Sequence, residues 1–106
     1  MRALSLAISV VAGSLIAGSV MAVEMPPLAQ KNKCTGCHAI DRKLVGPAWM
    51  DVSKKYRGVK GAQAKLVAKV KNGGKGVWGD VVAMPPQAAP EAEVKELVKF
   101  ILGLDK

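Results

Sequence analysis

Two cysteines separated by two residues, with a histidine directly behind the second, constrain this chain more than any other feature: Cys34-Thr35-Gly36-Cys37-His38. The 106 residues contain only these 2 cysteines and this 1 histidine. A structural zinc site takes four Cys or His donors, so it is out of reach. A thioredoxin-like dithiol belongs at a helix start within a βαβ pattern, and no strand pattern flanks the motif. A plain disulfide beside an idle histidine is the mundane reading, because cysteines outside the cytoplasm tend to pair. The other reading is that thiols and imidazole together hold one non-protein group. Composition favours it. Aromatic residues make up only 4% of the chain, namely Trp49, Tyr56, Trp78 and Phe100. A domain of about 70–80 residues rarely draws more than about 3–5 kcal/mol from its own core, so a bound group filling the centre would make up the shortfall.

The C-x-x-C-H spacing is the attachment signature of c-type haem. Each thiol can add to one vinyl group of the macrocycle, and two intervening residues let both sulfurs reach along one side. Gly36 leaves room for close backbone approach. The histidine follows the second tether, which holds its ring beneath the iron.

The first 22 residues read as an address. Met1-Arg2 supplies a positive start, Ala3 to Val20 is apolar with interspersed serines and glycines, and Val20-Met21-Ala22 ends in a small residue. These are the parts of a cleavable secretory signal peptide, with Val23–Lys106 left as a single domain. An uncleaved anchor is the alternative, since the apolar run could just span a bilayer. Pro26-Pro27 follow it closely, and the reading adopted is export to the periplasm without stable membrane insertion.

The exported part reads as all-α. Pro26-Pro27 open a short first helix over Leu28–Lys33. Pro47 suits the first position of a helix over Ala48–Tyr56. Ala62–Lys71 places Ala62, Leu66, Val67 and Val70 on one side and stops at Asn72-Gly73-Gly74. Residues 72–90 are rich in glycine and proline and read as loop. Pro90 opens the last helix, where Val94, Leu97, Val98, Ile101 and Leu102 recur at helical spacing before Gly103. Gly74-x-Gly76-x-x-Gly79 matches a dinucleotide-binding fingerprint in letters only. That motif needs a strand before it and a helix after it, whereas here a helix precedes and Ala83-Met84-Pro85-Pro86 follows.

A second axial ligand to the iron would have to come from methionine or lysine, because no other histidine exists. Met84 is the candidate. The loop between it and His38 is long enough to pass round a ring edge, and Pro85-Pro86 stiffens the arm that carries it. His/Met pairing raises the reduction potential. Met50 is the rival, placed awkwardly inside a predicted helix soon after His38. Filling of core is the ordinary job of any methionine.

With these residues in view, the chain resembles a small bacterial class I cytochrome c of the c-551/c-552 type. The likeness is carried by Lys31-Asn32-Lys33-Cys34-Thr35-Gly36-Cys37-His38-Ala39-Ile40-Asp41, by Val45-Gly46-Pro47-Ala48, by Lys71-Asn72-Gly73 with Gly76-Val77-Trp78-Gly79, and by Met84-Pro85-Pro86. It implies four or so short helices wrapped round one haem c attached through Cys34 and Cys37, with His38 and Met84 as the iron ligands. It further implies that the carbonyl of Pro47 accepts from the second ring nitrogen of His38, that the Trp78 indole reaches a haem propionate, and that Phe100 meets the first helix. The chain departs from the family in having Ala83 where a proline usually precedes the methionine, one extra residue after Gly79, and Gln87 where asparagine is common.

A six-coordinate haem has no open position for substrate, so the expected role is a monomeric one-electron carrier rather than an enzyme. A haem with an open sixth position, acting as a peroxidase or gas sensor, is the alternative, and CO binding separates the two. A haem-free basic module is the third reading, and it predicts a colourless protein. The basic residues crowd between Lys54 and Lys75, where no acid falls, and the whole chain carries a formal charge of +8. Export and the lack of aromatics in that run argue against nucleic acid. Its functional reading is steering towards periplasmic or membrane-bound redox proteins with acidic docking surfaces, and its bland reading is a solvated face.

Overall fold

The computed structural model describes residues 22–79 and 82–105, together with Ala7, Ser9 and Gly13. The leader expected over residues 1–22 therefore lies almost wholly outside the described residues. Four helices follow in order: α1 Pro27–Lys31, α2 Trp49–Lys55, α3 Ala62–Asn72 and α4 Glu91–Leu102. A single 3₁₀ turn, Cys34–Gly36, stands between α1 and α2. Among the described residues the only β pairing is two isolated bridges, His38 with Lys43 and Gly74 with Met84. The all-α expectation holds, and no described helix is long and apolar enough to cross a membrane.

The helix edges differ from expectation in instructive ways. Pro27 does sit inside the first turn of α1, but the helix ends at Lys31, not Lys33. The Asn32 side chain donates to the Leu28 carbonyl at 2.9 Å, and Lys33 then takes φ +60°, a left-handed conformation that cannot continue a helix. Pro47 and Pro90 lie outside the helices they were expected to begin. Ala48 and Pro90 are the N-caps, both extended at ψ 138° and 139°. At α2 the first amides are satisfied from elsewhere: Trp49 N–H donates to the Ala39 carbonyl and Met50 N–H to Ile40, each at 2.9 Å. Those bonds occupy orphan donors of the helix start and tie α2 to the segment just after His38.

α4 is the central element. It packs against α1, α2 and α3, and its Val94 and Val98 are the largest side chains buried completely. Leu97 and Ile101 join them, with Leu66 and Val67 from α3, Trp49 and Val52 from α2, and Ala29 from α1. Phe100 sets its ring edge-on to Trp49, with centroids 6.0 Å apart. Polar ties fasten both ends of α4. Glu93 accepts from Lys31 and from Asn32, which joins α1 to the first turn of α4 and holds the Glu93 carboxyl below its ordinary range, chiefly through the Lys31 hydrogen bond. At the far end the buried Ser53 hydroxyl donates to the Leu102 carbonyl at 3.3 Å and accepts from Asp105 N–H at 3.0 Å. Arg57 pairs with the Asp105 carboxylate at the same corner.

Candidate functional site

The four helices do not close on one another. A cleft of ≈ 1320 Å³, its open mouth included, remains between α2, α3, α4, the cysteine turn and the segment that joins α3 to α4. Trp49, Val52 and Tyr56 of α2, Leu66 and Val70 of α3, and Val94, Leu97, Val98 and Ile101 of α4 face it. Most of the apolar core therefore lines the cleft instead of packing solid. Apolar walls of this kind left to water would cost so small a domain much of its hydrophobic stabilisation.

Cys34, Cys37 and His38 line one side of this cleft, all brought there by the 3₁₀ turn. The turn closes through Cys37 N–H to the Cys34 carbonyl at 3.1 Å and His38 N–H to the same carbonyl at 2.9 Å. Both thiols are free. Burial pushes the Cys34 thiol up, with the neighbouring Cys37 adding to the shift and a backbone hydrogen bond opposing it.

His38 is held from two directions. Its Nδ1 lies 2.8 Å from the Pro47 carbonyl oxygen. A carbonyl can only accept, so Nδ1 carries a proton, and in the neutral ring Nε2 is the nitrogen with the lone pair. Behind the ring stands Gly46, buried, where an added Cβ would come within 2.5 Å of Cε1 and 3.0 Å of Nδ1. Gly46 is locked in turn by its N–H to the Cys37 carbonyl at 2.8 Å. The Gly46-Pro47 pair thus works as a backing plate. Gly46 was missed as a site residue, and the signal for it was a glycine directly before a proline whose carbonyl has a partner.

Met84 and Trp78 line the same cleft from the irregular segment between α3 and α4. The Met84 backbone pairs with Gly74 in both directions, N–H to carbonyl at 2.8 Å and carbonyl to N–H at 3.0 Å. Met50 is half-buried on α2 but does not face the cleft. Trp78 is half-buried, and the Lys55 ammonium sits 5.4 Å from its ring centroid, a cation–π arrangement that sequence reading did not foresee. The six residues singled out beforehand, Cys34, Cys37, His38, Pro47, Trp78 and Met84, all contribute to one cavity.

Residues 26–105 match the family Cytochrome c. The chain belongs to the cytochrome c family. A cytochrome c-551 of Allochromatium vinosum is 56% identical over 78 residues, which is 73% of this chain and 82% of that protein. A cytochrome c-552 of Hydrogenobacter thermophilus is 47% identical over 89 residues, 84% and 88% of the two chains. Among solved structures, wild-type Nitrosomonas europaea cytochrome c552 superposes with a TM-score of 0.71 at 42% identity, covering 74% of this chain and 96% of that one. The fold is that of a small class I cytochrome c. As a cytochrome c, the chain carries a covalently attached c-type haem on Cys34 and Cys37 and serves as an electron carrier. The residues present suit that group: two unpaired thiols on one turn, an imidazole with a fixed tautomer, and apolar walls that the protein's own side chains do not fill.

Proposed function

We propose that this cytochrome c is a monomeric periplasmic one-electron carrier in which His38 and Met84 would hold the haem iron. The observation that carries this reading is a single cleft lined by Cys34, Cys37, His38 and Met84, with Met50 outside its lining. The haem, when bound, supplies a metal centre that cycles between ferrous and ferric. His38 offers Nε2, and the Pro47 carbonyl, by accepting from Nδ1–H, orients the ring and raises its basicity. Met84 offers a thioether, a weak soft donor that favours the ferrous state and so lifts the potential. Trp78 would offer its indole N–H to a haem propionate. The α4 side chains keep water from the centre.

The cleft mouth suits brief docking. Val45, Val77 and Val82 are 50%, 37% and 72% exposed at its edge, and Lys33, Lys69 and Lys75 stand among the lining residues. An apolar centre inside a basic rim matches a redox partner with acidic residues around its own exposed cofactor. Small, weakly held interfaces of this kind are usual for electron transfer. Residues 1–22 deliver the chain to the periplasm and are removed after Ala22, so the mature protein starts at Val23.

Substitution of each methionine in turn tests the ligand assignment. Met84→Ala opens the iron, lowers the reduction potential and admits CO to the reduced protein. Met50→Ala does none of these. Exchange of the two behaviours would overturn the assignment.

A further inference from the structure

Several glycines of this chain adopt positive φ, but Gly73 is unlike the rest. Gly58, Gly61, Gly76 and Gly79 have φ between +70° and +80°, and a Cβ added at any of them would meet nothing within 4 Å. Gly73 has φ +78° and ψ 173°, a region that only glycine occupies without strain. It is also crowded. A Cβ there would lie 2.6 Å from the Met84 carbonyl oxygen, 3.0 Å from the Pro86 nitrogen and 3.1 Å from Pro86 Cδ. All three obstacles belong to the Met84-Pro85-Pro86 arm, and two of them are backbone, which cannot swing aside as a flexible side chain would.

The arm is bound to the same spot by hydrogen bonds. Beside the two-way Gly74–Met84 pairing, Gln87 N–H donates to the Val70 carbonyl in the last turn of α3 at 3.0 Å. Gly74 and Val70 therefore hold the arm at Met84 itself and again three residues later. Within the arm, the Gln87 side-chain amide donates to the Pro85 carbonyl at 2.8 Å. Pro85 and Pro86 have no N–H to offer, so these bonds account for the arm's remaining backbone donors.

We infer that Gly73 is a positioning residue for Met84: the absence of a side chain there lets the methionine arm seat against the end of α3, and this contact sets how far the thioether reaches into the cleft. The inference rests on Met84 being the axial ligand. A side chain at residue 73 pushes the Met84 carbonyl outward, stretches its pairing with Gly74, and withdraws the sulfur from the cleft. The helix α3 thereby tunes the grip on the iron through backbone alone, with no side chain involved.

The experiment compares Gly73→Ala with Gly61→Ala and Met84→Ala in the mature, haem-loaded protein. Gly61→Ala also places a side chain at positive φ, but in open space and away from the methionine arm, so it reports the cost of a left-handed side chain beside α3 without any contact to the arm. Three readouts are taken: the sulfur-to-iron charge-transfer absorption of the ferric form, CO binding to the ferrous form, and the midpoint potential. Gly73→Ala is expected to weaken the absorption, strengthen CO binding roughly tenfold or more, which corresponds to about 1.4 kcal/mol of lost sulfur–iron grip, and lower the potential. Gly61→Ala is expected to lose stability while all three readouts stay at wild-type values. If Met84→Ala leaves the three readouts unchanged, the ligand assignment itself fails. If Met84→Ala changes them and Gly73→Ala behaves like Gly61→Ala, the positioning role fails. Amide hydrogen exchange in the wild-type protein guards against a Gly73 variant that does not fold. The Gly74, Met84 and Gln87 amides are expected to be protected, and exchange at open-loop rates would overturn the inference.

Discussion

At the scale of single residues, the chemistry lies in side chains but its precision comes from positions without one. Gly46 presses on the His38 ring, and the imidazole can meet the Pro47 carbonyl only because nothing intervenes. Gly46→Ala is expected to displace the ring, cost about 1–3 kcal/mol as overpacking does, and shift the midpoint potential. Chemical denaturation and redox titration of the loaded protein check this, and an unchanged stability and potential would mean that the ring relaxes freely. The same residues show what could be read beforehand. Cys34, Cys37, His38 and Met84 stand out in the sequence because few residue types could tether or hold a haem and their spacing restricts them further. Gly46 and Gly73 do not, because a glycine gives no sign in sequence of what stands behind it. The neighbour that makes each indispensable is many residues away or across a turn, and only the fold supplies it.

At the scale of elements, periodic apolar residues marked α3 and α4 nearly to the residue, since a buried face repeats over several turns. The short helices were placed less well. α1 ends early because Asn32 turns back on Leu28 and Lys33 enters a left-handed conformation, which is a tertiary demand of the turn that follows. Pro47 stands outside α2 because its carbonyl is engaged by His38 and the Ala39–Ile40 backbone serves the helix start. Ser53 illustrates a tie with no periodic signal at all. It sits on the buried face of α2, 2% exposed, and joins α2 to the end of α4 through Leu102 and Asp105. Ser53→Ala leaves the Asp105 amide without its acceptor, and a loss of about 1–3 kcal/mol is expected. A denaturation midpoint equal to wild type would show that water replaces the hydroxyl.

At the scale of the whole molecule, the helices form a shell with its apolar faces turned to a cleft, and the covalent group completes the interior. The sparse aromatic content makes sense in that light: the volume that large rings would fill in another small domain is reserved. The excess positive charge lies outside, where it acts over distance. Steering by that charge predicts that the rate of electron transfer to an acidic partner falls as ionic strength rises, because the screening length shrinks from about 10 Å at 0.1 M to about 3 Å at 1 M. Stopped-flow measurement across that range decides the matter, and a flat response would reduce the lysines to a solvated surface. The most direct test of His38 and Met84 as the paired ligands is the proton spectrum of the reduced, haem-loaded protein with its methionine methyl groups labelled. Ring current from the macrocycle should carry the Met84 methyl far upfield while the Met50 methyl stays at an ordinary position. A Met84 methyl at an ordinary shift, or a displaced Met50 methyl in its place, would contradict the assignment.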